Sequence, residues 1–279
     1  MTFQSRSTIE NVREFWDLRP CNVRHSTRPV GTLEYFDEVE RRKYFVEPHI
    51  PEFAQFPRWK GKRVLELGCG IGTDSINFAR NGAQLTVVDL SERSLNICRQ
   101  RFQKYGLQAE FYCGNIEHLG SILPVQTFDL IYSFGVIHHT PNPERVLAGI
   151  RSFCTSKTEV RLMLYSKWSW KVLWIVLTYG HGAIWKLQSL VRTYSEAQTG
   201  CPVTYYYSFR EVEKLLKGFQ IQSIRKDHIF PYVIEQYVQY QYERPWYFRA
   251  MPRQVFQWLE HQLGWHTLVV AQVSNERYA

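Results

Sequence analysis

The stretch that most constrains this chain is Val64-Leu65-Glu66-Leu67-Gly68-Cys69-Gly70-Ile71-Gly72-Thr73-Asp74. An apolar run that reads as a buried strand enters three alternating glycines and then a helical pattern. Lacking Cβ, glycine lets a loop turn sharply and lets its backbone lie against a ligand. The helix that follows offers N–H groups without intrahelical partners. Asp89 ends the next apolar run. A carboxylate at the end of the second of two parallel strands can accept both hydroxyls of a ribose. The combination points to a nucleoside-containing ligand.

The spacing narrows the choice. A dinucleotide fingerprint is GxGxxG, whose third glycine permits close helix packing under a diphosphate. Here the glycines are Gly68, Gly70 and Gly72, flanked by Glu66 and Asp74. Two acids repel a diphosphate but tolerate an ammonium or sulfonium group. Nicotinamide-dependent oxidoreduction is therefore disfavoured.

Five β-like runs alternate with helical patterns: Arg63–Leu67, Gln84–Asp89, Ala109–Cys113, Phe128–Ser133 and Glu159–Tyr165. Helices are expected over Asp74–Asn81, from the N-cap Ser91 to Tyr105 with Gly106 as terminator, and over Pro143–Phe153. Leu95, Cys98 and Phe102 form one buried stripe. Repeated β-α-β units predict a doubly wound α/β sheet with helices on both faces. A helix over Ser208–Lys217, ended by Gly218, and strands over Gln220–Phe230 and Trp265–Val273 close the unit, giving seven strands.

Aromatic residues make up 15% of the chain, and many fall outside this regular pattern. They concentrate in residues 1–60 and in insertions at about 166–207 and 231–264. The expected organisation is an N-terminal helical lid (1–60) and a Rossmann-like domain (61–279) whose two insertions complete an aromatic-rich cap over a cleft.

Glu66–Gly72, Val88-Asp89-Leu90-Ser91, Gly114-Asn115-Ile116 and Phe128-Asp129-Leu130-Ile131 follow one another in the order of a known motif set. On these residues the chain resembles the class I S-adenosylmethionine-dependent methyltransferases, closely over Lys62–Tyr165 and loosely elsewhere, in a small-molecule subgroup similar to methyltransferase types 11 and 25. The resemblance implies a seven-stranded, mostly parallel sheet whose last strand is antiparallel, and S-adenosyl-L-methionine as cofactor. It implies that Glu66, Gly68, Cys69, Gly70, Gly72, Thr73 and Asp74 line the methionine and ribose, that Asp89 binds the ribose hydroxyls, and that Leu90 and Ile116 flank the adenine. Asn115 stands where the family usually has Asp and can still accept through its carbonyl oxygen. Ser133 and Phe134 would lie beside the transferable methyl, with His139 near the cofactor.

Methyl transfer asks the protein to align a nucleophile and exclude water, and a base helps where the nucleophile carries a proton. The candidates for that base are His138 and His139, after the fourth strand, and His228, at the end of a late one. Candidate acceptor contacts are Trp16, Arg19, Tyr205, Tyr207 and His228, with Glu196–Tyr205 as a polar segment inside the first insertion. No metal site is expected, because no third His, Asp or Glu at ligand spacing accompanies His138-His139.

A formal charge of +8 permits acidic partners without selecting one. Nucleic acid is disfavoured: there is no Asn-Pro-Pro-Tyr-type tetrapeptide, no Pro-Cys nucleophile and no appended RNA-binding module. The alternatives to small-molecule methylation are an RNA methyltransferase and a non-catalytic S-adenosylmethionine-binding protein on the same scaffold. Six scattered cysteines without a CxxC pair, an N-terminus without an apolar signal core, and no membrane span fit a cytoplasmic protein with reduced thiols. Nothing in the sequence specifies an oligomeric state.

Overall fold

The computed structural model describes residues 8–195 and 200–274. Seven strands form one sheet: β1 (Arg63–Leu67), β2 (Gln84–Asp89), β3 (Glu110–Cys113), β4 (Phe128–Phe134), β5 (Cys154–Tyr165), β6 (Phe219–Asp227) and β7 (His266–Val273). Their order is β3-β2-β1-β4-β5-β7-β6, and β7 alone runs antiparallel to its neighbours. The seven-stranded doubly wound sheet expected from the sequence is thus present.

Helices precede and connect the strands: α1 (Ile9–Leu18), α2 (Leu33–Val46), α3 (His49–Ala54), α4 (Thr73–Arg80), α5 (Glu92–Tyr105), α6 (Leu119–Ile122), α7 (Pro143–Arg151), α8 (Trp170–Thr178), α9 (Leu187–Tyr194), α10 (Phe209–Leu215), α11 (Ile234–Tyr237), α12 (Trp246–Arg249) and α13 (Arg253–Leu263). The first three lie in the N-terminal segment, α8 and α9 in the first insertion, and α11 to α13 in the second.

Alternation along the central strands explains the two-sided core. Val64, Val87, Leu130 and Tyr132 face one layer, shared with Phe53, Phe56 and Trp59 of the N-terminal segment. Leu65, Leu67, Val88 and Ile131 face the other, with Val146, Leu147 and Ile150 of α7 and Val212 of α10. Local signals set the ends of α5: the Ser91 hydroxyl accepts the Ser94 N–H, and Gly106 closes the helix in the left-handed region.

One buried cation ties the layers together. Arg101 on α5 is fully buried and donates to Thr73 Oγ1 (2.8 Å), the Phe36 carbonyl (3.0 Å) and Glu40 (3.1 Å). It pins α2 and the first turn of α4 to α5.

The late strand differs from its expected span. It stops at Asp227 rather than Phe230, because His228 has φ +67° and leaves extended geometry. β5 starts earlier than expected, at Cys154, where its pairing with β4 is irregular between Phe128 and Leu130.

Candidate active site

Ligands of open α/β sheets bind beyond the carboxyl ends of the parallel strands. The glycine turn lies there, between β1 and α4. Gly68, Gly70 and Gly72 all have positive φ (+79°, +52° and +77°). A Cβ added at Gly72 would sit 2.4 Å from Cys98 Sγ, so packing against α5 fixes that glycine. At Gly70 it would meet nothing closer than Cys21 Cβ at 3.7 Å. The turn there is open to a ligand and roofed by the N-terminal segment.

Asp89 ends β2 beside the turn. It accepts the Gly70 N–H (2.9 Å) and the Ser91 N–H (2.8 Å), which fix both its oxygens. Burial raises its carboxyl to about 6. Glu66 is buried, with its acidity pushed to about 8 chiefly by desolvation and then by Asp74. Its Oε2 has no hydrogen-bond partner among the described residues. A buried carboxyl with one unpartnered oxygen beside an open glycine turn fits a ligand carrying an N–H donor group.

The other expected cofactor residues are held as follows. Asp74 accepts from Lys43 (2.7 Å), Tyr44 (3.0 Å) and Tyr132 (3.0 Å), so its charge is matched within the protein. The Asn115 carbonyl oxygen accepts the Glu117 N–H (3.0 Å), capping a short turn that contains buried Ile116. The Ser133 hydroxyl donates to the Leu67 carbonyl (3.1 Å), joining the ends of β4 and β1. Thr73 and Cys69 are buried, and Leu90 follows Asp89 in a half-buried position.

The expected catalytic and acceptor residues separate. His138 is fully buried with its ring 3.8 Å from that of Tyr165, and neither nitrogen has a partner among the described residues. Burial, then His139, holds it well below the ordinary imidazole range. His139 Nδ1 lies 2.8 Å from the Val203 carbonyl, anchoring the first insertion, and Trp16 packs edge-on against its ring at 5.4 Å. The Tyr205 hydroxyl donates to the Pro141 carbonyl (3.3 Å). Tyr207 packs against the α7 and α10 face of the sheet. Arg19 lies exposed over the Phe15 ring. Glu196–Thr199 lie outside the described residues.

His228 is brought together with residues that the sequence reading missed. Its ring lies 5.2 Å from His49 and 4.7 Å from His266. His49 and His266 are joined at 2.9 Å, and both pack against Phe134, at 6.0 and 5.5 Å. Glu47 borders the group, 3.7 Å from His266 Nε2. Three imidazoles and a carboxylate thus cluster at the end of β4. Their positions were hidden because β7, being antiparallel, brings its first residue to the ligand edge. The short spacing Glu47-Pro48-His49 was the available signal.

Comparisons with known proteins agree with this geometry. Residues 64–157 match a family model described as a methyltransferase domain. A ubiquinone biosynthesis O-methyltransferase of an Azoarcus species is 37% identical over 84 residues, 30% of this chain and 36% of that protein. One from Idiomarina loihiensis is 38% identical over 87 residues, 31% of this chain and 35% of its own length. The aligned stretch therefore spans just over a third of these curated relatives. Among solved structures, magnesium protoporphyrin IX methyltransferase from Synechocystis PCC 6803 with bound S-adenosylhomocysteine is similar with TM-score 0.58, at 16% identity, covering 96% of this chain and 100% of that one. An S-adenosylmethionine-dependent methyltransferase from Mesorhizobium loti is similar with TM-score 0.53, at 17% identity, over 80% of this chain and 97% of that one. Sheet order, glycine turn and sequence match together identify residues 64–157 as a methyltransferase domain.

Proposed function

We propose that this chain is an enzyme that transfers the methyl group of S-adenosyl-L-methionine to a small-molecule acceptor. The observation that carries the reading is the open glycine turn between two buried carboxyls, Glu66 and Asp89. When bound, the cofactor supplies a methyl group already activated by its sulfonium sulfur. Asp89 would hold the ribose hydroxyls, Glu66 would meet an N–H of the methionine part, and the backbone of Gly68 to Gly72 would cradle the remainder. Leu90, Asn115 and Ile116 would border the adenine.

The acceptor would sit beyond β4, against Phe134, with the histidine cluster on its far side. The N-terminal segment and the two insertions would act as lid and cap. Support for the lid comes from Asp17, which accepts from the Ser91 hydroxyl (2.7 Å) and ties α1 to the start of α5, and from Trp16 against His139. A covered pocket excludes water and favours a small acceptor over a polymer. The curated relatives are named for O-methylation, which makes an oxygen nucleophile the first to try. No helix among the described residues is long and apolar enough to cross a membrane, and all six cysteines are free, in keeping with a cytoplasmic setting.

The test is isothermal titration with S-adenosylhomocysteine, followed by product detection across a panel of phenols, carboxylic acids and amines. Tight binding that Asp89→Ala abolishes, with turnover of at least one acceptor, is the expected result. Absence of binding to the wild-type chain would refute the reading.

A further inference from the structure

The cluster at the end of β4 has more structure than a proton acceptor needs. Glu47, His228 and His266 each offer a ligand atom, and these three atoms all lie within 4.8 Å of one another. We propose that they form a binding site for a divalent transition-metal ion, held by two imidazoles and one carboxylate.

The geometry supports each ligand separately. His228 adopts a left-handed backbone, a conformation that costs a non-glycine residue about 1–3 kcal/mol unless its surroundings enforce it. Here they do: its N–H donates to Asp227 Oδ1 (2.9 Å), and its carbonyl accepts the Trp265 N–H (2.8 Å). The strained backbone presents an imidazole into the cluster instead of continuing β6. His266, the next residue after Trp265, starts β7 and turns Nε2 toward Glu47 at 3.7 Å. Its other nitrogen, Nδ1, lies 2.9 Å from His49 Nε2. With Nε2 on an ion, Nδ1–H donates to His49, which fixes the His266 tautomer. This is the outer-shell arrangement that metal-bound histidines require. His49 is thus a positioning residue.

Two atoms each about 2.1 Å from one ion lie at most about 4.2 Å apart. At the tetrahedral angle the separation is about 3.4 Å, so an ion would draw the cluster inward. Two nitrogens and an oxygen suit zinc, cobalt or ferrous iron better than magnesium or calcium, which prefer all-oxygen sets. Three protein ligands leave positions open, the pattern of an exchangeable rather than a closed structural site.

Phe134 brings the open side of the site next to the expected methyl position. If the methyltransferase reading holds, on which this consequence rests, an ion there would polarise an acceptor oxygen and lower its pKa.

The experiment uses the full-length chain, stripped with chelator and titrated with Co2+ and then Zn2+. Ligand-field absorption of the cobalt form and metal content after gel filtration are the readouts. One equivalent of Co2+ should bind, displaced by Zn2+. His228→Ala and His266→Ala should each weaken binding at least about 100-fold, and His49→Phe about 10–100-fold. Titration of every variant with S-adenosylhomocysteine reports that the fold is intact. A chain that binds S-adenosylhomocysteine but no Co2+ or Zn2+ overturns the metal site and leaves the methyltransferase reading standing. So does metal binding that is undiminished in a folded His228→Ala/His266→Ala double variant. Metal binding without S-adenosylhomocysteine binding would sink the enzyme reading instead.

Discussion

Replacing Asp89 with Asn keeps the size of the side chain but removes its charge and one of its two acceptor oxygens, so Asp89→Asn measures what the whole carboxylate contributes to cofactor binding. The two backbone N–H groups that it accepts leave lone pairs on both oxygens for a ribose diol. Two charge-assisted hydrogen bonds reduced to neutral ones should cost about 3 kcal/mol, roughly a 100-fold rise in Kd near neutral pH. The pH dependence is the sharper test. Burial raises the free carboxyl to about 6, and the diol donates to the ionised form. Affinity should therefore be level near pH 7 and fall as pH drops through 6. At about pH 5 one site in ten is ionised, and wild-type affinity should be about tenfold lower, about 1.4 kcal/mol. Glu66, held protonated up to about 8, does not titrate in that window. The Asn variant cannot ionise and should bind with one weak affinity throughout. Isothermal titration with S-adenosylhomocysteine at several pH values measures all of this. Wild-type affinity that is flat from about pH 5 to 7.5, or an Asn variant that matches wild type at neutral pH, would show that the carboxylate does not hold the ribose.

Other substitutions separate packing from binding. Gly72→Ala places a methyl 2.4 Å from Cys98 Sγ and should cost about 1–3 kcal/mol of stability in denaturant titration. Gly70→Ala meets open space at φ +52° and should cost about 1–2 kcal/mol of stability while lowering cofactor affinity by more. Asp17→Ala removes the acceptor that ties α1 to Ser91, and should speed hydrogen exchange across residues 9–18 with stability changed by about 1 kcal/mol. Arg101→Ala removes the donor shared by Thr73, Phe36 and Glu40 and empties a fully buried site, and should cost about 3–5 kcal/mol, read as a fall in Tm.

The elements proposed to hold the cofactor were legible because their signals are local. Strand, glycine turn, helix and terminal acid follow one another along the chain, and residues 64–157 carry most of them. Gly106 and Ser91 marked helix ends because each acts on its own backbone. The histidine cluster was not legible, because it is assembled across long separations. His49 lies 217 positions from its partner His266, and nothing in either neighbourhood announces the other. Lys43, which neutralises Asp74 from α2, was invisible for the same reason. His228 was singled out from its place at a strand end, but the strand was read too far: Ile229 and Phe230 continue an apolar run that the backbone abandons at His228.

The reversed direction of β7 has a consequence for how such a protein can diversify. Segments 166–207 and 231–264 leave the framework after β5 and before β7, two ends that pair as Tyr165 and His266. Both detours consequently open on a single rim, over β4 to β6, while the glycine turn above β1 and β2 lies outside their points of attachment. Exchanging either detour for one of different shape would reshape the rim around the histidine cluster and leave the glycine turn untouched.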